Sequence, residues 1–245
     1  MQVSINTAVF LPQLEQHISQ LECLQAIDGW SIENIEVRGE FFSPETKIQE
    51  LTNIKSLCQK NTWNLYYSVP EELFLGDHFN PELEQQLALA EKLEIKNLKY
   101  SFGNFELLFS DQEFDKLQTL LNNSPITVTI ENQPNSKGEL ATMLKNLELD
   151  QAEKLALGYT FDAGNWYWIN ENPNEAFQKL HDKINIFHLK DIKNHQTVLL
   201  GEGQTDWQPM IKALSPNIPI FLEYGTTDLE ELQHEIKLVN HLLAK

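Results

Sequence analysis

Eight times along the chain a short β-type apolar run is followed by a stretch with helical spacing, and nothing else in the sequence limits the fold as tightly. The β-type runs end near Asn6, Arg38, Ser68, Ser101, Glu131, Asp162, His188 and Glu223, at intervals of 26 to 35 residues. Each interval holds one strand, one helix and two short links, and strands joined through helices in this way lie parallel. An open doubly wound sheet would usually carry a Gly-rich phosphate loop after its first strand. Asn6-Thr-Ala-Val-Phe10 is nothing like one. The repeat therefore predicts an α/β fold, a single (β/α)₈ TIM barrel. The 245 residues match one such barrel, with the whole span 1–245 as one domain and no linker or low-complexity segment.

The local signals fit this frame. Gln2 to Phe10 reads as the first strand, and Leu14, Ile18, Leu21 and Ala26 follow at helical spacing. Ile35–Arg38, Leu65–Val69 and Asn97–Ser101 read as the next three strands. Ser43-Pro44 and Asn80-Pro81 look like helix starts, each an N-cap followed by proline. The two helices would bury Ile48, Leu51, Ile54 and Leu57, and Leu83, Leu87, Ala90 and Leu93. Ser136 with Glu139, and Thr227 with Glu230, have the spacing of capping boxes.

Composition limits the setting. A net charge of −18 argues against nucleic acid as a partner, because phosphate binding needs clustered Lys and Arg. Cys23 and Cys58 fall within amphipathic helical stretches, which suggests buried thiols in a reducing compartment. No apolar run is long enough to span a membrane, and no basic-then-apolar leader is visible, so a cytoplasmic protein is expected.

Four successive β-type runs share one property. Ile126–Ile130 ends in Glu131, Leu155–Phe161 in Asp162, Ile184–Phe187 in His188, and Ile218–Leu222 in Glu223. In a parallel barrel, side chains at the strand ends converge on one bowl. Counting back by two places Thr127, Thr129 and Glu131 on the inner face, with Ile184, Ile186 and His188, and Pro219, Phe221 and Glu223, sharing inner faces likewise. A single acidic residue at a strand end is more often a solvated loop residue or cap, but four in phase suggest a shared divalent metal. Three carboxylates and one imidazole suit Mn²⁺, Mg²⁺ or Co²⁺ better than Zn²⁺.

At these residues the chain resembles the xylose isomerase-like TIM barrel superfamily, in its sugar phosphate isomerase/epimerase branch. The likeness is carried by Ile130-Glu-Asn-Gln-Pro134, Phe161-Asp-Ala-Gly-Asn165, Phe187-His-Leu-Lys-Asp191 and Gly201-Glu-Gly-Gln-Thr-Asp-Trp207, with Ile35–Arg38 resembling the second strand. The resemblance implies one metal ion on Glu131, Asp162, His188 and Glu223, with Glu131 and Glu223 also exchanging protons with a substrate carbon. The implied reaction is isomerisation or epimerisation of a small sugar, sugar phosphate or polyol through a metal-stabilised enediolate. Lys190 and Asp191 match the family's H-x-K-D run. Asn165 stands where sugar epimerases often place a substrate-touching histidine, which leaves the substrate open.

Other residues carry weaker signals. Arg38, the sole arginine, shares a strand face with Glu36 and is expected to grip substrate, oriented by Glu36, or else to form a structural ion pair. His78 lies on the loop after the third strand, where it either approaches the bowl or stays on the surface. Trp166 and Trp168 could wall a sugar or pack beneath their loop, and Lys99 could face either way. Other functional classes stay open: a dehydratase or lyase with Glu131 and Glu223 as ligands only, and a non-catalytic barrel. An apurinic-site endonuclease would need more histidines and a basic face. The sequence leaves room for a homo-oligomer.

Overall fold

In the computed structural model, residues 1–105, 110–226 and 228–244 are described, with the backbone alone for 151–153. Eight parallel strands close a barrel in the order β1-β10-β7-β6-β5-β4-β3-β2. They are β1 (Ser4–Asn6), β2 (Asn34–Arg38), β3 (Asn64–Gly76), β4 (Ile95–Phe105), β5 (Thr127–Glu131), β6 (Leu157–Asp162), β7 (Ile184–Leu189) and β10 (Ile220–Leu222). Between β7 and β10 a small antiparallel hairpin, β8 (Asp191–Lys193) and β9 (Gln196–Val198), stands outside the barrel. The expected (β/α)₈ barrel is the observed one.

Strand alternation sets the two faces. Outward side chains meet the helices: Phe161 and Phe187 stack at 5.6 Å, and Phe177 of the helix Pro173–Leu180 packs edge-on against both. The inward face is unusually polar. Asn34 Nδ2 donates to Ser4 Oγ, Asn64 Nδ2 to Asn34 Oδ1, Asn97 Nδ2 to Thr129 Oγ1, and Thr160 Oγ1 to the same hydroxyl. A buried polar group costs free energy unless it is hydrogen-bonded, so this lining only works as a connected network. Its upper layer is the charged cluster described below.

The observed ends differ from several expectations. The first strand is three residues long and turns into a 3₁₀ segment, Thr7–Phe10, because Asn6 accepts the amide of Ala8. The following helix splits into Leu11–Leu14 and Gln20–Gln25, leaving Ile18 exposed between them. Ser43 does not cap a helix starting at Pro44. Its carbonyl closes a turn onto Thr46 and Lys47, the helix begins at Lys47, and Ile48 is exposed while Cys58 takes an inward position. Asn80 likewise accepts the Glu82 amide in a turn, and the helix starts at Leu83. Ser136 lies in a short 3₁₀ turn, and the helix Leu140–Glu153 has its first amide, that of Leu140, bonded to the Glu171 carboxylate from the next unit. Thr227 lies outside the described residues, and the last helix is capped by Asp228, which accepts the amides of Glu230 and Glu231.

Strands β3 and β4 run past the rim. Glu72 to Gly76 pairs with Ser101 to Phe105 beyond an irregularity at Ser68–Glu72. Phe74, Phe102 and Phe105 pack within this extension. Gly103, at φ +84°, is required there, since a Cβ would stand 2.2 Å from the Phe74 carbonyl.

Candidate metal centre

Four adjacent strands supply the cluster. Glu131 ends β5, Asp162 ends β6, His188 is the penultimate residue of β7, and Glu223 follows β10. One oxygen from each carboxylate and one imidazole nitrogen lie within 4.8 Å of one another. His188 Nδ1 is 2.7 Å from Glu223 Oε2 and 3.0 Å from Glu131 Oε1. Its Nε2 faces Glu36 Oε1 at 3.3 Å, and Glu36 is held by Asn6 Nδ2 at 2.6 Å. His188 and Glu36 are both fully buried.

Three further cations meet these carboxylates. Lys99 Nζ lies 2.9 Å from each oxygen of Glu131, and 4.0 Å from Glu36 Oε1. Lys190 Nζ bridges Asp162 Oδ2 at 2.5 Å and Glu223 Oε2 at 3.0 Å. Arg38 donates from Nη1 to Glu223 Oε1 at 2.6 Å and from Nε to Glu40 Oε1 at 2.7 Å. Arg38 therefore pairs with Glu40 and, from another strand, with Glu223: of the ion pairs expected for it the cross-strand one is present and the one with Glu36 is not. Glu36 lies one layer deeper, where Asn6 and His188 engage it.

The electrostatics follow from this crowding. Burial opposes the charge on His188, but the carboxylates of Glu223 and Glu36 outweigh it and hold the imidazole well above its ordinary pKa. Burial likewise pushes Glu131 and Glu223 up. Lys99 and His188 reverse this for Glu131, and Lys190, His188 and Lys99 for Glu223, so both stay below the usual carboxylate range. Asp162 goes the other way: burial, with the charges of Glu223 and Glu131, outweighs Lys190 and raises it. Packing three carboxylates on one spot makes one of them reluctant to ionise unless another cation arrives.

The donor set fits a divalent ion. His188 Nε2 lies 3.3 Å from Glu36 Oε1 without forming a hydrogen bond, while Nδ1 lies where Glu131 and Glu223 converge, the side on which an imidazole nitrogen and two carboxylates could share an ion. His188 Nε2 and Glu36 Oε2 are also buried without a hydrogen-bond partner, so neither is fully satisfied by the protein alone. Carboxylate oxygens with several acceptor directions can serve a lysine and an ion together.

The motif residues around the cluster act as its frame. Asn132 brackets Asp162, donating to its carbonyl and accepting its amide, while Tyr159 Oη donates to the same Asn132 oxygen. Asn165 donates to the Asn132 carbonyl at 2.8 Å, so its side chain pins the loop. Gln133 joins Gly103 and Glu72 of the β3–β4 extension. Asp191, fully buried, accepts four backbone amides, from Ile192, Gly201, Gly203 and Thr205. The motifs at Phe187–Asp191 and Gly201–Trp207 are thereby two sides of one loop anchor.

Trp166 is fully buried beneath its loop, whereas Trp168 is exposed and lies against His195. His78 sits half-exposed at the tip of the β3 extension with Asp77 on its Nδ1, apart from the cluster. Sequence reasoning left Lys99 undecided. The signal is alternation: Asn97, Lys99 and Ser101 pair in register with Thr127, Thr129 and Glu131 of the neighbouring strand and share their inward face.

Solved structures align over nearly the full length. A probable 3-DHS dehydratase AsbF from Bacillus anthracis aligns with TM-score 0.69 at 20% identity, covering 98% of both chains. A D-psicose 3-epimerase from Clostridium cellulolyticum, solved with D-tagatose, aligns with TM-score 0.66 at 11% identity, covering 100% of this chain and 98% of that one. A xylose isomerase domain containing protein from Salmonella typhimurium reaches TM-score 0.69 at 12% identity, with 100% and 97% covered. At such identities these likenesses concern the fold. No curated protein matches the chain by sequence. The family model of the xylose isomerase-like TIM barrel matches residues 72–241, most of the chain, and together with the closed barrel and its rim this places the protein in the xylose isomerase-like TIM barrel family.

Proposed function

We propose that the protein is a divalent-metal-dependent isomerase or epimerase of a small sugar or polyol, with Glu131, Asp162, His188 and Glu223 as ligands. The observation that carries this is the placing of the two glutamates. In the arc β5-β6-β7-β10 they are the outermost members, one on each side of His188, and both approach its Nδ1. Lys99 keeps Glu131 ionised, and Lys190 with Arg38 surrounds Glu223, so both carboxylates are in the basic form through neutral pH. A bound divalent ion would supply electrophilic stabilisation of charge on a substrate oxygen. One glutamate, ionised, would take the proton from the carbon next to a carbonyl; handing that proton to the neighbouring carbon is isomerisation, and epimerisation requires the opposite glutamate to have taken up a proton from solvent, which it delivers to the other side. The acidic net charge of −18 favours a small-molecule substrate over nucleic acid. We place the enzyme in the cytoplasm, since Cys23 and Cys58 are free, buried thiols.

A dehydratase is the second reading. It is favoured by the ammonium group of Lys190, which is partly exposed among the carboxylates and could donate to a departing hydroxyl. Proton NMR of candidate sugars in D₂O separates the two: exchange at carbon without loss of water supports the isomerase. Glu131→Gln keeps an oxygen ligand but removes the base, and should lower turnover about a thousandfold while metal stays bound. Retention of more than about a tenth of the wild-type rate would move the base elsewhere.

A further inference from the structure

Lys99 is more deeply buried than Arg38 or Lys190, with a side chain only 4% exposed against 26% and 14%. It rises from the middle of β4, between the outward-facing Leu98 and Tyr100, and reaches both oxygens of Glu131. An ammonium group enclosed in a barrel carries a large desolvation cost, and a methionine or leucine would fill the same space without it. What Lys99 supplies is charge. Buried at the centre are four carboxylates, Glu36, Glu131, Asp162 and Glu223. Facing them are Arg38, Lys99, Lys190 and the imidazole of His188. Lys99 occupies both oxygens of Glu131, the carboxylate through which β5 would reach an ion.

We propose that Lys99 is a positioning residue for the candidate metal centre, an internal counter-cation that holds Glu131 in place and weakens binding of the divalent ion. This rests on the metal-dependent reading above. Its consequence is a Glu131 carboxylate that is already paired when metal-free, and a site that exchanges its ion readily. A residue with a purely structural role would, when lost, loosen the site and weaken metal binding. A counter-cation has the opposite sign: its removal deepens the negative potential and tightens binding.

Isothermal titration calorimetry with Mn²⁺, together with melts in EDTA and in Mn²⁺, tests this on the full chain. Lys99→Met should bind Mn²⁺ about tenfold more tightly, the order expected for one charge removed nearby in a partly screened site. It should melt lower than wild type in EDTA and regain most of the difference in Mn²⁺. Unchanged or weaker binding by Lys99→Met, with the wild type binding normally, overturns the role of Lys99 and leaves the metal reading standing. Absence of binding by both proteins overturns the metal reading and this proposal together. Should Lys99→Met fail to fold, the pair Glu131→Gln and Glu131→Gln/Lys99→Met replaces it, since the double variant leaves no unpaired carboxylate at that position. Tighter binding by the double variant supports the proposal, and equal or weaker binding overturns it.

Discussion

Arg38 shows how much one side chain can be asked to do. As the sole arginine it divides its fork between Glu40 and Glu223, with 26% of the side chain still exposed. Lysine can make one of these bonds but not both in a fixed plane. Arg38→Lys should therefore lower kcat/KM about ten- to a hundredfold, the equivalent of one charged hydrogen bond of roughly 1.5–3 kcal/mol. Metal affinity and Tm should change little. A variant that melts markedly lower while the folded fraction turns over normally would make Arg38 structural. Arg38 was legible as unusual because its residue type is unique here. Its partner was not, because Glu223 lies 185 positions away and reaches Arg38 only through closure of β1 between β2 and β10.

At the scale of elements, β7 and the loop that follows are the unit to test. Asp191 Oδ2 accepts Gly201 and Gly203, and Oδ1 accepts Ile192 and Thr205. Gly203 is obligatory, as a Cβ would stand 2.1 Å from Asp191 Oδ1. Asp191→Asn turns one oxygen into an amide that faces two N–H donors. It should cost about 3 kcal/mol, seen as a fall in Tm of roughly 6–12 °C. A Tm within about 2 °C of wild type would show that the loop is held by other contacts. The capping box expected at Ser136 and Glu139 illustrates the reverse case. Local spacing was right for a cap, but Glu171 from the following unit reaches the Leu140 amide instead, and a tertiary partner is invisible to a four-residue pattern.

For the molecule as a whole the charge cluster couples stability to pH and metal. Burial would raise the Glu131 carboxyl, but Lys99 and His188 bring it down to about 2 from 4.5, and Glu223 is likewise held well below its ordinary value. Their stabilisation is present above pH 4.5 and is lost as pH falls toward 2, so metal-free protein should melt progressively lower across that window. His188 has the opposite sign. Its raised pKa stabilises the metal-free fold below 6.5 and is lost as pH rises through the folded-state value. A ligating imidazole must also give up this proton. Mn²⁺ at one fixed concentration, about a hundred times its Kd at pH 7, should raise Tm by roughly 5–10 °C, and by more at pH 8 than at pH 6. An equal Mn²⁺ shift at both values would exclude His188 from the ligand set.

The barrel, and the meeting of Glu131, Asp162, His188 and Glu223 at its rim, were legible in the sequence alone. Both are periodic properties: a strand-plus-helix interval repeated eight times, and alternation that decides which face of each strand is inward. What those four side chains face became visible only once the barrel was closed. Lys99, Lys190 and Arg38 come from β4, the residue after β7, and β2, and no local pattern says that all three converge on the same carboxylates. Closure of the barrel brings them within hydrogen-bonding distance. In that low-dielectric interior, charge pairing over a few ångströms replaces hydration and fixes which groups are ionised.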